Sequence, residues 1–201
     1  MAFLIRGVIA VVIALALGVG SATWAVSRLT LGAGITNGAW RTNVLIGSEA
    51  LDMYARAGIA VAGLFALQRS EAVYFTAMAD STGDPFDGAC IYRVEGQDLP
   101  ARWWSITAYG EDHFLIPNAE KRYSVTRADL LGSAPDGGDA AFSFRVAREP
   151  MGPTGLPIGA AERFSLTLRL YGMPPALTDT DNLEADLKGL SLPVITRERC
   201  S

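Results

Sequence analysis

Twenty consecutive uncharged residues, Gly7 to Val26 (GVIAVVIALALGVGSATWAV), constrain this chain more than any other feature. Coiled as a helix, a run of that length matches the ~30 Å hydrocarbon thickness of a bilayer. Arg6 precedes it and Arg28 follows it. Trp24 falls near the far end, where an aromatic ring suits the headgroup region. With one arginine on each side the charge bias is weak, but the amino terminus adds to the near side. The expected arrangement is a single-pass anchor with the rest of the chain beyond the cytoplasm. A cleaved signal peptide has a shorter apolar core of ~7–15 residues and a small-x-small exit site. Gly20-Ser21-Ala22 and Thr23-Trp24-Ala25 fit that site poorly, so the anchor is the preferred reading.

The remaining residues are enough for one domain. Half of the 201 residues are hydrophobic and 19% are charged, which excludes a disordered chain. One histidine and two distant cysteines cannot build a structural zinc site. No CxxC, no GxxxxGK[ST] and no strand-adjacent GxGxxG occurs, so the usual dithiol, phosphate-loop and dinucleotide chemistries are not expected and no cofactor is implied. A net charge of −4 with scattered basic residues argues against nucleic acid.

Residues 29–47 read as a linker. Ser48 begins a segment, 48–69, with helical spacing of Leu51, Tyr54, Ala55, Ile59 and Ala62, expected as one amphipathic helix. From Glu71 the hydrophobic period changes to two. Strands are expected at 72–79, 89–94, 102–109, 113–116, 123–126, 140–147, 164–171 and 192–195, with a short helix at 182–188. Short strands with turns at intervals predict a mainly β fold, a jelly-roll-like β-sandwich over residues 70–178. Residues 179–201 read as a C-terminal tail.

Four groups of residues are candidates for chemistry. Asp80, Asp84 and Asp87 in one turn can offer oxygen ligands to calcium, although Asp and Gly are also ordinary turn formers. Trp103 and Trp104 are strand neighbours, so one enters the core and the other faces outward, where Trp104 with Tyr109 can stack a ligand. Asn118, Arg122 and Tyr123, with Arg102, Arg169 and Tyr171, can line a cleft for an anion, or form salt bridges around a turn. His113 follows Glu111-Asp112, but beside a turn, where solvent exposure is the default. Cys90 and Cys200, 110 positions apart, either pair in an oxidising compartment or stay apart, with Cys200 free on a frayed tail. The penultimate position of Cys200 favours the second state.

Three motifs in order, Leu99-Pro100-Ala-Arg-Trp-Trp104-Ser-Ile-Thr107-Ala-Tyr109, Asn118-Ala-Glu-Lys-Arg122-Tyr123-Ser-Val and Phe164-Ser-Leu-Thr-Leu-Arg169-Leu-Tyr171-Gly-Met-Pro174, carry a resemblance. With the turn Asp80-Ser-Thr-Gly83-Asp-Pro-Phe-Asp87-Gly88 they resemble the bacterial domain of unknown function family 1214 over residues 70–178. The resemblance implies a jelly-roll-type β-sandwich and no established activity. Longer relatives carry a domain of unknown function, family 1254, ahead of this one. A short member with a membrane segment is therefore expected to act beside a separate family 1254 protein. The chain departs from the family pattern N-W-L-P-A-P, having Gly152-Pro-Thr-Gly-Leu156-Pro157-Ile-Gly instead.

The expectation is a membrane anchor (1–28), a linker, a helix and a sandwich, held at the bacterial inner membrane with the C-terminal domain in the periplasm. Its expected role is non-catalytic binding of a protein partner in the cell envelope. The alternative is binding or cleavage of envelope carbohydrate, which for cleavage needs two carboxylates facing each other across a cleft.

Overall fold

The computed structural model describes residues 2–32, 34–43, 53–61, 67–132 and 139–200. It divides into two compact units, Met1–Ala33 with Ala50–Phe65, and Gly34–Glu49 with Ala66–Ser201. In the first unit, helix α1 (Ala2–Gly32) contains an apolar span, Phe3–Ala25, long enough to cross a membrane. None of the described side chains in that span is buried. This unit also contains α2 (Met53–Val61). Of the segment expected as one helix, 48–69, residues 67–69 are coil and turn. Residues 48–52 and 62–66 lie outside the described residues.

The second unit is mainly β. Its elements are β1 (Ile35–Asn37), β2 (Trp40–Thr42), β3 (Ala72–Ala77), β4 (Cys90–Gln97), β5 (Trp103–Gly110), β6 (Ser124–Thr126), α3 (Arg127–Leu131), β7 (Ala141–Ala147), β8 (Leu156–Pro157), β9 (Phe164–Tyr171), α4 (Pro175–Thr178), α5 (Leu183–Lys188) and β10 (Val194–Cys200). They form a large sheet in the order β1-β2-β3-β9-β5-β6 and a small one in the order β10-β4-β7-β8. Pairing is antiparallel except between β7 and β8.

One core fills the space between the sheets. Leu166, Leu168 and Leu170 of β9 lie opposite Ala108, Ile106 and Trp104 of β5, and opposite Ala77, Phe75 and Val73 of β3. All are buried. From the small sheet come Tyr92, Val94, Phe142, Phe144, Val146 and Ile195. Rings lock the two layers together. Tyr92 of β4 meets Phe164 of β9 at 5.7 Å, and Trp104 of β5 meets Phe142 of β7 at 4.7 Å. Such ring pairs add to the burial energy of the side chains themselves.

Parts of the segments expected as linker and tail belong to the sandwich. The connector at 29–47 contains the end of α1 and the β1–β2 hairpin. Gly38-Ala39 makes its turn, with Gly38 at φ +60°, a conformation that suits glycine. Trp40 is buried, and its indole N–H donates to the Pro193 carbonyl at 2.7 Å. The hairpin is thus held by a ring that must leave water. Residues 179–201 contain α5 and β10, and β10 pairs with β4 along its length. Ile195 supplies the apolar contact, and its N–H donates to the Ser81 hydroxyl. The expected strand at 113–116 is a turn with a single bridge from Leu115 to Tyr109.

Two features close the small sheet. Cys200 lies opposite Cys90, and a disulfide joins them with the Cα atoms 3.9 Å apart. Among the described residues there is no free cysteine. Glu198 sits where the β10 register slips, between Arg197 and Arg199. Arg93 and Arg145 face each other directly across β4 and β7, a repulsive pairing. The bulge lets the Glu198 carboxylate reach both, at 2.5 and 2.8 Å. Hydrogen bonding from Arg145, more than the burial that opposes it, holds the Glu198 pKa below its ordinary value.

Candidate functional site

The outer face of the large sheet is polar although it lies on central strands. Alternation on β9 turns Ser165, Thr167, Arg169 and Tyr171 outward. Register sets their neighbours in three rows. Ala72, Tyr171 and Trp103 form one, and Tyr74, Arg169, Ser105 and Thr126 the next. Thr76, Thr167, Thr107 and Ser124 form the third. Arg41 extends that third row onto β2. Rings and hydroxyls therefore surround one guanidinium.

Arg169 is oriented by neutral groups. It donates from Nη1 to the Thr107 hydroxyl at 3.1 Å and from Nη2 to the Tyr109 hydroxyl at 2.7 Å. Its guanidinium also lies 5.4 Å from the Tyr109 ring centre, a cation–π contact. Among the described residues, no carboxylate lies within ion-pair distance of it. Tyr74 is buried and accepts the Leu67 N–H at its hydroxyl. Burial raises the Tyr171 pKa against the opposing pull of Arg169, so its phenol stays neutral. At the edge of this face, Trp103 is 39% exposed and lies 5.2 Å from the Tyr171 ring.

The residues singled out from sequence divide sharply. Tyr109 belongs to this face. Trp104 does not; it is the inward member of the tryptophan pair, fully buried, with its indole N–H donating to Asp98 at 2.9 Å. A side chain enclosed on all sides cannot stack a ligand, so the outward ring is Trp103. Asn118 braces its own loop. Its amide donates to the Ile116 and Arg122 carbonyls, and its carbonyl accepts the Arg122 N–H. The Arg122 guanidinium donates to the Pro153 carbonyl. The Tyr123 carbonyl accepts the Ala108 N–H. These three shape a turn beside β5 and do not converge with Arg169.

The acidic turn is self-satisfied. Asp80 accepts the Thr82 hydroxyl at 2.6 Å and the N–H groups of Thr82 and Asp84. Arg197 lies 3.5 Å from Asp80 and 3.6 Å from Asp84. Burial disfavours the Asp80 charge, but the Thr82 bonds, the Asp84 N–H and Arg197 outweigh it and lower the pKa. Asp87 accepts the Ala89 N–H. Among the described residues, no three His, Cys, Asp or Glu side chains converge to hold a metal. The carboxylates expected for calcium are held by backbone and by a cation. His113 is exposed at a turn, with φ 63°.

Sequence reasoning missed the pairing of Arg127 with Asp98, buried at 2.8 Å and 29 positions apart. It also missed the partners of Arg169. The one available signal was the alternation of β9, which places Arg169 and Tyr171 on the face opposite the leucines.

Comparison with known proteins supports the fold. The VPA0106 protein from Vibrio parahaemolyticus has a similar structure, with a TM-score of 0.55, 22% identity and coverage of 75% of this chain. The chain spans 36% of that protein. A putative uncharacterized protein from Burkholderia cenocepacia gives a TM-score of 0.41 at 13% identity, covering 65% of this chain and 30% of its own. No curated protein matches the sequence significantly. Residues 71–175, from the strand before the acidic turn to the prolines after β9, match the family described as Protein of unknown function (DUF1214), and the chain belongs to that family.

Proposed function

We propose that this chain is a membrane-anchored module of the bacterial cell envelope that binds a protein partner through the outer face of its large sheet. The supporting observation is the exposed Trp103, resting on Tyr171 at the end of a hydroxyl-rich face around Arg169. Partly exposed rings beside an oriented arginine are the residue types that dominate protein interfaces. An anchor across the inner membrane, with the sandwich in the periplasm, raises the effective concentration of a neighbour in the same membrane. A family 1254 protein is the first partner to examine.

Cleavage of carbohydrate gains no support from the geometry. Asp80 and Asp84 are paired with Arg197 of the small sheet. Glu111 and Asp112 lie past the far end of β5 from Trp103, a strand length of about 25 Å.

A photoreactive amino acid at position 103 of the full chain, irradiated in native membranes, tests the docking face. The expected result is one discrete protein adduct, absent when the probe replaces the exposed Val194 of the small sheet. Adducts only with lipid, or equal labelling from both positions, would overturn the reading.

A further inference from the structure

We infer that Arg169 receives a carboxylate from an extended, acidic segment of the bound partner, while an apolar side chain of the same segment rests on Trp103 and Tyr171. This deepens the docking reading and rests on it.

Some other arginines of this chain meet backbone carbonyls, as Arg122 and Arg148 do, and others meet carboxylates. Arg93 and Arg145 share Glu198, Arg127 has Asp98, and Arg197 has Asp80 and Asp84. Arg169 stands on β9, between β3 and β5, where partial burial makes an uncompensated charge costly. Its partners are nonetheless hydroxyls and a ring. These fix the plane of the guanidinium and leave its charge unmatched. Arg169 itself is half-buried. An oriented, planar donor pair matches a carboxylate in charge and shape. Arg41 on the same face adds a second positive charge about 10 Å away, two strands over.

Spacing then selects a chain over a small molecule. Arg169 leans along β5 towards Thr107 and Tyr109. Thr107 and Trp103 are four residues apart on that strand, about 13 Å. An extended peptide covers that distance with an acidic and an apolar residue four positions apart. A single sugar ring does not.

The test uses the full chain in lipid nanodiscs, labelled with 5-fluorotryptophan. The four tryptophan signals are resolved by fluorine NMR, and Trp103→Phe identifies the line of interest. The probes are the peptides acetyl-Phe-Ser-Gly-Ser-Glu-amide and acetyl-Glu-Ser-Gly-Ser-Phe-amide, with Gln in place of Glu as controls, and glucuronate. We expect one acidic peptide to shift the Trp103 line saturably, at least about tenfold more tightly than its Gln control. Arg169→Gln should abolish that preference and Arg169→Lys should retain part of it, with the Trp104 line unmoved as the mark of an intact core. Equal binding of the Glu and Gln peptides, no response to any peptide, or tighter binding of glucuronate would each overturn the inference. If a discrete protein adduct from position 103 persists in Arg169→Gln, the carboxylate inference falls while the docking reading stands. Loss of every adduct from the wild-type chain removes both.

Discussion

Arg127 and Asp98 form an ion pair at 2.8 Å, in which the carboxylate is wholly enclosed and the guanidinium nearly so. The same carboxylate accepts the Trp104 indole N–H and the Leu99 N–H. One aspartate therefore links α3, β5 and the turn after β4. Thr126, with Asp129 in a capping box, starts α3 so that Arg127 points inward. Breaking a buried pair leaves the other charge uncompensated. Asp98→Ala is expected to cost about 3–5 kcal/mol in chemical denaturation. Removing both partners together should cost clearly less than the sum of the single changes. Additive losses would show that the pair is not coupled.

Acid should unfold the sandwich through a small set of carboxylates. Burial opposes the Asp98 charge, but bonds from Arg127, Trp104 and Leu99 outweigh it and lower the pKa below its ordinary 3.8. Asp80 is lowered from 3.8 and Glu198 from 4.5. Each folded value lies below the unfolded one. Their stabilisation is therefore complete above the ordinary values and is lost as pH falls through the depressed ones. The melting temperature is expected to hold level from neutral pH to about 5 and to fall below about 4. Asp98→Asn should flatten part of that fall. A decline beginning near neutrality would point to other groups.

The disulfide closes a loop of 110 positions between strands that already pair. In the chain-entropy account, a loop that long stabilises by about 4–5 kcal/mol through the unfolded state. Cys200→Ser should match Cys90→Ser/Cys200→Ser in denaturation, and reductant should lower the wild-type melting temperature towards theirs. Reductant without effect on the wild-type chain would show that the bridge does not form.

Trp40 tests whether the hairpin that follows α1 in sequence belongs to the sandwich. It is buried at the start of β2 and bonded to Pro193, just before β10. Trp40→Ala is expected to cost about 3–5 kcal/mol, and Trp40→Phe less, through loss of the indole bond. A change near zero would return this segment to the status of a linker.

Much of the architecture was legible along the chain because its signals are local. An uncharged run of twenty residues needs no tertiary partner to be recognised as long and apolar enough to cross a membrane. Period-two alternation likewise located β3, β5, β7 and β9, since a strand with one buried face writes that face into every second residue. The sequence also required that Trp103 and Trp104 face opposite ways. It did not say which of them entered the core. Assembly of the two sheets decided that, because only the side facing the other layer loses its water. The same holds for the charged part of β10: a strand is expected only over 192–195, and pairing with β4 and the disulfide extend it to Cys200. Asp98 finds Arg127 from 29 positions away, and Arg169 finds Thr107 and Tyr109 from 62 and 60. Local pattern determines which face of an element seeks cover. Which polar groups meet depends on which elements come to lie side by side.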